Sequence, residues 1–145
     1  MANSRLAIGI HILTLLALNR ADPLTSEYIA GSVNTNPVVV RRVLGALRRA
    51  RLVTSQGGNR GGWRLTGEPS KITLRDVYCA VEDDHMFPLH RRPPNPACPV
   101  GRHIGAVLGE RFAAAHEVLM QELGRSSIAS MLDEVRDRAR PVVLS

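Results

Sequence analysis

The stretch from Thr25 to Leu65, TSEYIAGSVNTNPVVVRRVLGALRRARLVTSQGGNRGGWRL, constrains the fold more than any other. Thr25 is a good helix N-cap, and Glu27 stands in the first turn, where the helix dipole favours a negative charge. The helix it opens is expected to run out near Gly31, because Val33-Asn34-Thr35 is too polar and turn-prone to continue it. Asn36-Pro37 then restarts the chain as N-cap and first helical residue. In the next helix Val40, Val43, Leu44 and Leu47 form one apolar stripe. Val38, Arg41, Arg42, Gly45, Arg48 and Arg49 fall on the opposite side. Two helices joined by a three-residue turn, the second with an apolar back and an arginine-rich front, make the pattern of a helix-turn-helix.

The adjoining segment sharpens that reading. Leu52-Val53-Thr54-Ser55 reads as a short strand and Trp63-Arg64-Leu65 as its return. Four glycines lie among the seven residues from Gln56 to Gly62, which suits a tight reversal. Glycine-rich loops that cradle nucleotide phosphates lead from a strand into a helix and often carry a Lys-Ser/Thr pair. This loop joins two strands and has no such lysine, so it reads as a wing beside a recognition helix.

Charge is distributed accordingly. Residues 1–65 hold nine arginines against Asp22 and Glu27, whereas residues 66–145 hold ten basic and eleven acidic residues. The positive field therefore belongs to the helix-turn-helix half, as a nucleic-acid footprint requires. A winged helix used only for protein contacts, the alternative reading, would not need that charge. At 145 residues the chain has room for one domain with a real core and an appendage. No serine–histidine–aspartate or paired-carboxylate constellation is recognisable, so an enzyme is not expected.

The first helix is expected to start at Asn3 or Ser4 and to end near Asn19. Leu6 to Leu18 is apolar nearly all round, resembling a signal-peptide core behind Arg5. It has no small-residue cleavage site, contains His11 and Thr14, and is too short to span a bilayer. It reads as a buried helix of a cytoplasmic protein, with His11 a satisfied core histidine. Such a helix must be covered on more than one side, by the helix-turn-helix and by a C-terminal helix or a partner subunit. After the wing, Thr73-Leu74-Arg75-Asp76 resembles a capping box. The helix it opens carries Val77, Ala80 and Val81, ends about Glu82-Asp83-Asp84, and is expected to bury Cys79.

Residues 83–101 hold five of the nine prolines and read as a stiff connector. From Arg102 the helical period returns: Ile104, Leu108, Phe112, Ala115, Leu119 and Leu123 share one face. About twenty residues make a helix of roughly 30 Å, which needs a long surface to bury against. Two copies packed across a dyad would supply it. Ser127 caps a last helix with Ile128, Met131, Leu132 and Val135, stopping before Pro141. The expected fold is mainly α with a small β-wing: a winged helix-turn-helix plus a long C-terminal dimerisation helix. Its divisions are a DNA-binding domain (1–82), a proline-rich connector and candidate sensor loop (83–101), and dimerisation helices (102–145).

The run from Asn3 to Glu82 resembles the Rrf-two family of bacterial winged-helix transcription regulators, which includes the iron–sulfur cluster regulator. The matching elements are the apolar first helix, Ile29-Ala30, Asn36-Pro37, and Leu47-Arg48-Arg49-Ala50-Arg51-Leu52-Val53. Gly61-Gly62-Trp63-Arg64-Leu65 and Ile72-Thr73-Leu74-Arg75-Asp76-Val77 also match. Asn95-Pro96-Ala97-Cys98-Pro99-Val100-Gly101 and the long helix after it look like a cluster-free subgroup. The resemblance implies a homodimer in which the long helix of one subunit packs on the first helix of the other. Cluster-binding members carry three closely spaced cysteines in the connector. This chain has Cys98 there and Cys79 in the preceding helix, too few for a four-ligand cluster.

His85, His90, Cys98 and His103 match no zinc spacing, so neither a metal nor a cofactor is expected. Cys98 is the sharper candidate. It lies near Arg91, Arg92, Arg102 and His103, and cations favour the reactive thiolate. Its oxidation to a sulfenate or an intersubunit disulfide is a way to shift two DNA-binding domains, against the alternatives of an inert thiol or a small-ligand sensor.

The expected activity is that of a homodimeric regulator of transcription, a repressor in preference to an activator, on a palindromic double-stranded operator. Asn36, Val38, Arg41 and Arg42 occupy the first turns of the recognition helix, which meet base edges in such motifs. Arg48 and Arg49 suit phosphate, and Thr25 and Thr35 add neutral phosphate contacts. Gln56, Asn59 and Arg60 sit on the wing, with Arg60 placed for the minor groove or the backbone. Trp63 is expected to pack within the wing.

Overall fold

The computed structural model describes residues 4–82 and 86–141. The first helix, α1 (Arg5–Leu18), starts after Ser4 and closes at Asn19, whose backbone N–H donates to the Leu15 carbonyl at 3.2 Å. Asn3 lies outside the described residues. Ile8, Ile12, Leu13, Leu16 and Ala17 are buried, because neighbours from both ends of the chain cover this helix.

α2 (Ser26–Val33) is capped as expected, Thr25 Oγ1 accepting from the Tyr28 N–H at 3.1 Å. It runs past Gly31, however. The stop comes at Asn34, which sits in the left-handed region at φ 60° and ψ 51°. Asparagine tolerates that conformation, so the turn did not need the glycine. α3 (Pro37–Arg49) begins on Asn36, whose Oδ1 accepts from the Val38 N–H at 2.8 Å. Its stripe of Val40, Val43, Leu44 and Leu47 is 0–2% exposed. The helix ends with Arg51 in the left-handed region (φ 62°), the Arg51 N–H donating to Arg48 O and the Leu52 N–H to Leu47 O. That doubly bonded terminus turns the chain into the wing.

The wing is an antiparallel pair, β1 (Val53–Gln56) and β2 (Gly62–Leu65), with Val53 opposite Leu65 and Gln56 opposite Gly62. Gly58 takes φ +93° in the reversal. Gly62 has φ +152° and lies so close to the Leu24 backbone that a side chain would collide with it. That approach lets Leu24 and Trp63 exchange backbone hydrogen bonds of 2.8 and 3.1 Å, which fasten the wing to the start of α2.

A 3-10 turn at Pro69–Lys71 leads to α4 (Leu74–Val81), where Thr73 and Asp76 form the expected capping box. α4 buries Val77, Tyr78 and Val81 and leaves Cys79 exposed, contrary to expectation. On a helix this short, the inward positions differ from Cys79 by about 100–200° of rotation, so its apolar neighbours do not carry it inward. The helix closes on Glu82; Asp83, Asp84 and His85 fall outside the described residues.

The long helix α5 (Pro99–Leu123) starts three residues before the expected Arg102. Pro99 occupies the first helical position, where a missing N–H removes no hydrogen bond, so the proline does not bar the helix there. α6 (Ile128–Ala139) begins on a Ser127–Ser130 capping box. Its start is tied to that of α4: the Leu74 N–H donates to Ser126 O at 3.0 Å and the Ile128 N–H to Ile72 O at 2.8 Å. α6 then lies along α1, so the C-terminal helix covers one side of α1 within the same chain. The core joins α1, α2, α3, α4 and α6 around Ile12, Leu13, Leu16, Ile29, Leu44 and Leu47.

Candidate nucleic-acid interface

With its apolar stripe spent on the core, α3 turns its other face outward. Asn36, Val38, Arg41, Arg42, Arg48 and Arg49 are all exposed, Val38 by 48%. Thr25 is exposed and Thr35 half-buried; Gln56, Asn59 and Arg60 are exposed on the wing. The wing is fastened beside the helix-turn-helix through Leu24 and Trp63.

The two capping side chains keep hydrogen-bonding capacity outward. The Thr25 hydroxyl and the Asn36 amide oxygen are used on backbone N–H groups, leaving the hydroxyl proton and the amide nitrogen as donors. The arginines divide into three environments. Arg41 Nη2 donates to Glu27 Oε1 at 3.0 Å, linking α3 to the first turn of α2. Arg48 places its guanidinium 5.7 Å from the centre of the Trp63 ring, a cation–π distance that joins α3 to β2 of the wing. Arg42 and Arg49, with Arg5 and Arg41, line a groove of about 420 Å³ at the foot of α3.

Reading the sequence missed Arg5 as a lining residue and Tyr28 as an exposed ring (57%) on α2. Their polarity and spacing carried no signal of that placement. It also missed Arg64, which donates from β2 to the Arg20 and Ala21 carbonyls, each at 3.2 Å, stiffening the chain between α1 and α2. Trp63 is half-buried against the core, as expected of wing packing.

Away from this face, Cys98 is exposed and occupies the N-cap of α5. Its N–H donates to Asn95 O at 3.2 Å, and its carbonyl accepts from Arg102 N at 2.8 Å. The Arg102 guanidinium donates from Nε to the Pro96 carbonyl at 2.8 Å. Along α5, Ile104, Leu108, Phe112, Leu119 and Leu123 are half-buried and Ala115 is exposed. Phe112 stacks on Phe87 of the connector with centroids 5.5 Å apart. Tyr78 is buried beside His116, and burial, then Glu82 and Cys79, push its phenol above the ordinary value. His11 is half-buried, its Nε2 2.9 Å from Ser32 Oγ, and lines a cleft of about 560 Å³ between α1 and α6. Among the described residues no helix is long and apolar enough to cross a membrane.

An outward arginine-faced second helix, locked by its apolar back and flanked by a fastened wing, defines a winged helix-turn-helix. The family model for Rrf2, described as an iron-dependent transcriptional regulator, matches residues 2–134, and the chain belongs to that family. YwnA of Bacillus subtilis (strain 168), provisionally assigned as an HTH-type transcriptional regulator, is 41% identical over 93% of this chain and 99% of its own. A crystal structure of a protein provisionally assigned as DNA-binding superposes with a TM-score of 0.72 at 39% identity, covering 89% of this chain and 99% of the other. The T. potens IscR structure shares the fold, with a TM-score of 0.74 at 19% identity, covering 97% and 92%. The chain is accordingly a DNA-binding transcriptional regulator and not an enzyme.

The iron in the family description does not fit the donors present. A cluster needs four ligands, usually thiolates. This chain has two cysteines, both free, one on α4 and one at the start of α5. Among the described residues no three His, Cys, Asp or Glu side chains converge on a metal position.

Proposed function

We propose that the protein is a cytoplasmic, homodimeric repressor that binds a palindromic operator and responds to oxidants through Cys98. The single observation carrying the DNA reading is the exposed α3 face with its arginines beside the anchored wing. Asn36, Val38, Arg41 and Arg42 read base edges: an arginine pairs with guanine, and the Val38 side chain meets a thymine methyl. Arg48, Arg49, Thr25 and Thr35 hold phosphates, and Gln56, Asn59 and Arg60 follow the backbone or the minor groove.

Residues 1–82 serve as the DNA-binding domain, 83–101 as connector and sensor loop, and 102–145 as the dimerising part. α5 supplies Ile104, Leu108, Phe112, Ala115, Leu119 and Leu123 to the dimer, and its partner surface is the α1–α6 cleft of the other subunit. The exposed Leu18 and Val135 on that cleft support this seat, as do Val107 and Val118 on α5. Two recognition helices related by a dyad place half-sites about 34 Å apart or a multiple of that. The exposure of Cys98 at the head of α5 supports an oxidation that changes how the two helices meet.

Fluorescence anisotropy on DNA from upstream of the protein's own gene tests this reading, with random DNA as competitor and with and without mild peroxide or hypochlorite. The expected result is tight, competitor-resistant binding that oxidation changes and that Cys98→Ser makes insensitive. Binding indifferent to oxidant would remove the thiol switch and leave the regulator.

A further inference from the structure

We propose that Glu27 sets the base specificity of this protein, by holding the Arg41 guanidinium and shielding it from phosphate. This rests on the reading of Arg41 as a base reader. Residues 1–65 carry only two carboxylates against nine arginines. One of the two, Glu27, sits 3.0 Å from Arg41 Nη2 across the α2–α3 junction. Both side chains are more than half exposed, 53% for Arg41 and 68% for Glu27, so the pair faces the DNA-binding surface rather than the core. An exposed pair of this kind contributes little to folding. Its effect falls on what Arg41 meets outside.

That effect arises from charge. Arginines near a duplex are drawn first to phosphates, which dominate the field and carry no sequence information. Among the described residues Arg49 makes no ion pair, and it lines the basic groove with Arg5 and Arg42. It suits phosphate. Arg41 shares the groove, but its charge is already matched, and a carboxylate beside it repels phosphate oxygens. Guanine presents neutral acceptors, O6 and N7, and carries no such penalty. Glu27 engages one of the two N–H groups of Nη2, so the other, paired with Nε or Nη1, is left for a bidentate contact. Anchoring the head also leaves less rotational freedom to lose on binding. Glu27 is therefore a positioning residue, acting through Arg41 and not on the base.

The test begins with duplexes enriched by the wild-type protein from a randomised pool. Wild type, Glu27→Ala, Glu27→Gln, Arg41→Ala and the Glu27→Ala/Arg41→Ala double variant are then titrated on an enriched and a random duplex across a salt series. Arg41→Ala is expected to lower the enriched-to-random affinity ratio. Glu27→Ala should lower the same ratio about tenfold, the size of one good base contact, without weakening binding to random DNA. The double variant should lose no more than Arg41→Ala alone, the signature of two residues acting as one. Glu27→Gln, which keeps the hydrogen bond and loses the charge, should fall between wild type and Glu27→Ala.

If Arg41→Ala lowers the ratio and Glu27→Ala does not, the role of Glu27 is overturned and the base reader stands. A Glu27→Ala variant that loses equally on both duplexes has a structural defect only, and the proposal is wrong. Independent, multiplying losses in the double variant overturn it as well. If Arg41→Ala leaves the ratio unchanged, or no duplex is enriched, the base-reading role of Arg41 falls and this inference falls with it.

Discussion

α3 and α5 are both amphipathic by sequence, and the fold treats them in opposite ways. The thirteen residues of α3 bury a complete stripe of four, while α5, nearly twice as long, buries Met120 alone. The stripe of α3 is covered within its own chain, with only Val38 among its larger apolar residues left exposed. α5 leaves Val107 and Val118 more than half exposed and its stripe half-covered. Periodicity announces that a helix has a face to hide; it does not say whether the same chain supplies the cover. For α3 the cover is internal, so its position relative to the wing is fixed. For α5 it is incomplete, and a second subunit completes it in the dimer proposed above.

The sharpest way to break this contrast is to cut into each stripe in turn. Leu44→Ala removes a side chain that is 0% exposed. It should cost about 2–5 kcal/mol in urea unfolding. A loss well under that range would mean that the α3 stripe is less tightly held than its burial implies. Leu108→Asp, on the half-covered stripe, should instead leave helicity intact by circular dichroism. Sedimentation equilibrium should show subunit association weakened by at least ~2 kcal/mol. Unchanged association would place the dimer contact elsewhere.

Smaller effects sharpen the comparison. Arg49→Ala should weaken enriched and random DNA alike and flatten the salt slope by about one unit. An unchanged slope would remove Arg49 from the phosphate set. Arg51→Gly should stabilise the protein by about 1 kcal/mol, since a non-glycine residue holds the left-handed position at the end of α3. A melting temperature that falls would mean that the Arg51 side chain contributes more than its backbone conformation costs.

How much was legible in the sequence depends on the range of each interaction. Thr25, Asn36, Thr73 and Ser127 cap helices through hydrogen bonds spanning two or three residues, so each boundary could be read from a short window. The α3 stripe repeats locally and was equally plain. The start of α5 was hidden because a proline-rich run looks hostile to helix, although a proline in first position is compatible with one. The exposure of Cys79 depends on which sides of α4 the rest of the molecule covers. The Glu27–Arg41 pair joins residues fourteen apart on different helices, and the hold of Leu24 on Trp63 joins residues thirty-nine apart. No local window contains either. On the DNA-binding face, the residue types were readable; their pairings were not.

The bonds between Leu24 and Trp63 have a consequence for how such a protein changes over time. They clamp β2 one pair from its turn end, leaving the turn from Gly57 to Arg60 outside the clamp. Residues inserted or replaced at that tip alter how far the loop extends without shifting where the strands begin. The tip is thus an interchangeable part on a fixed mount, open to lengthening or recharging while α3 stays in place.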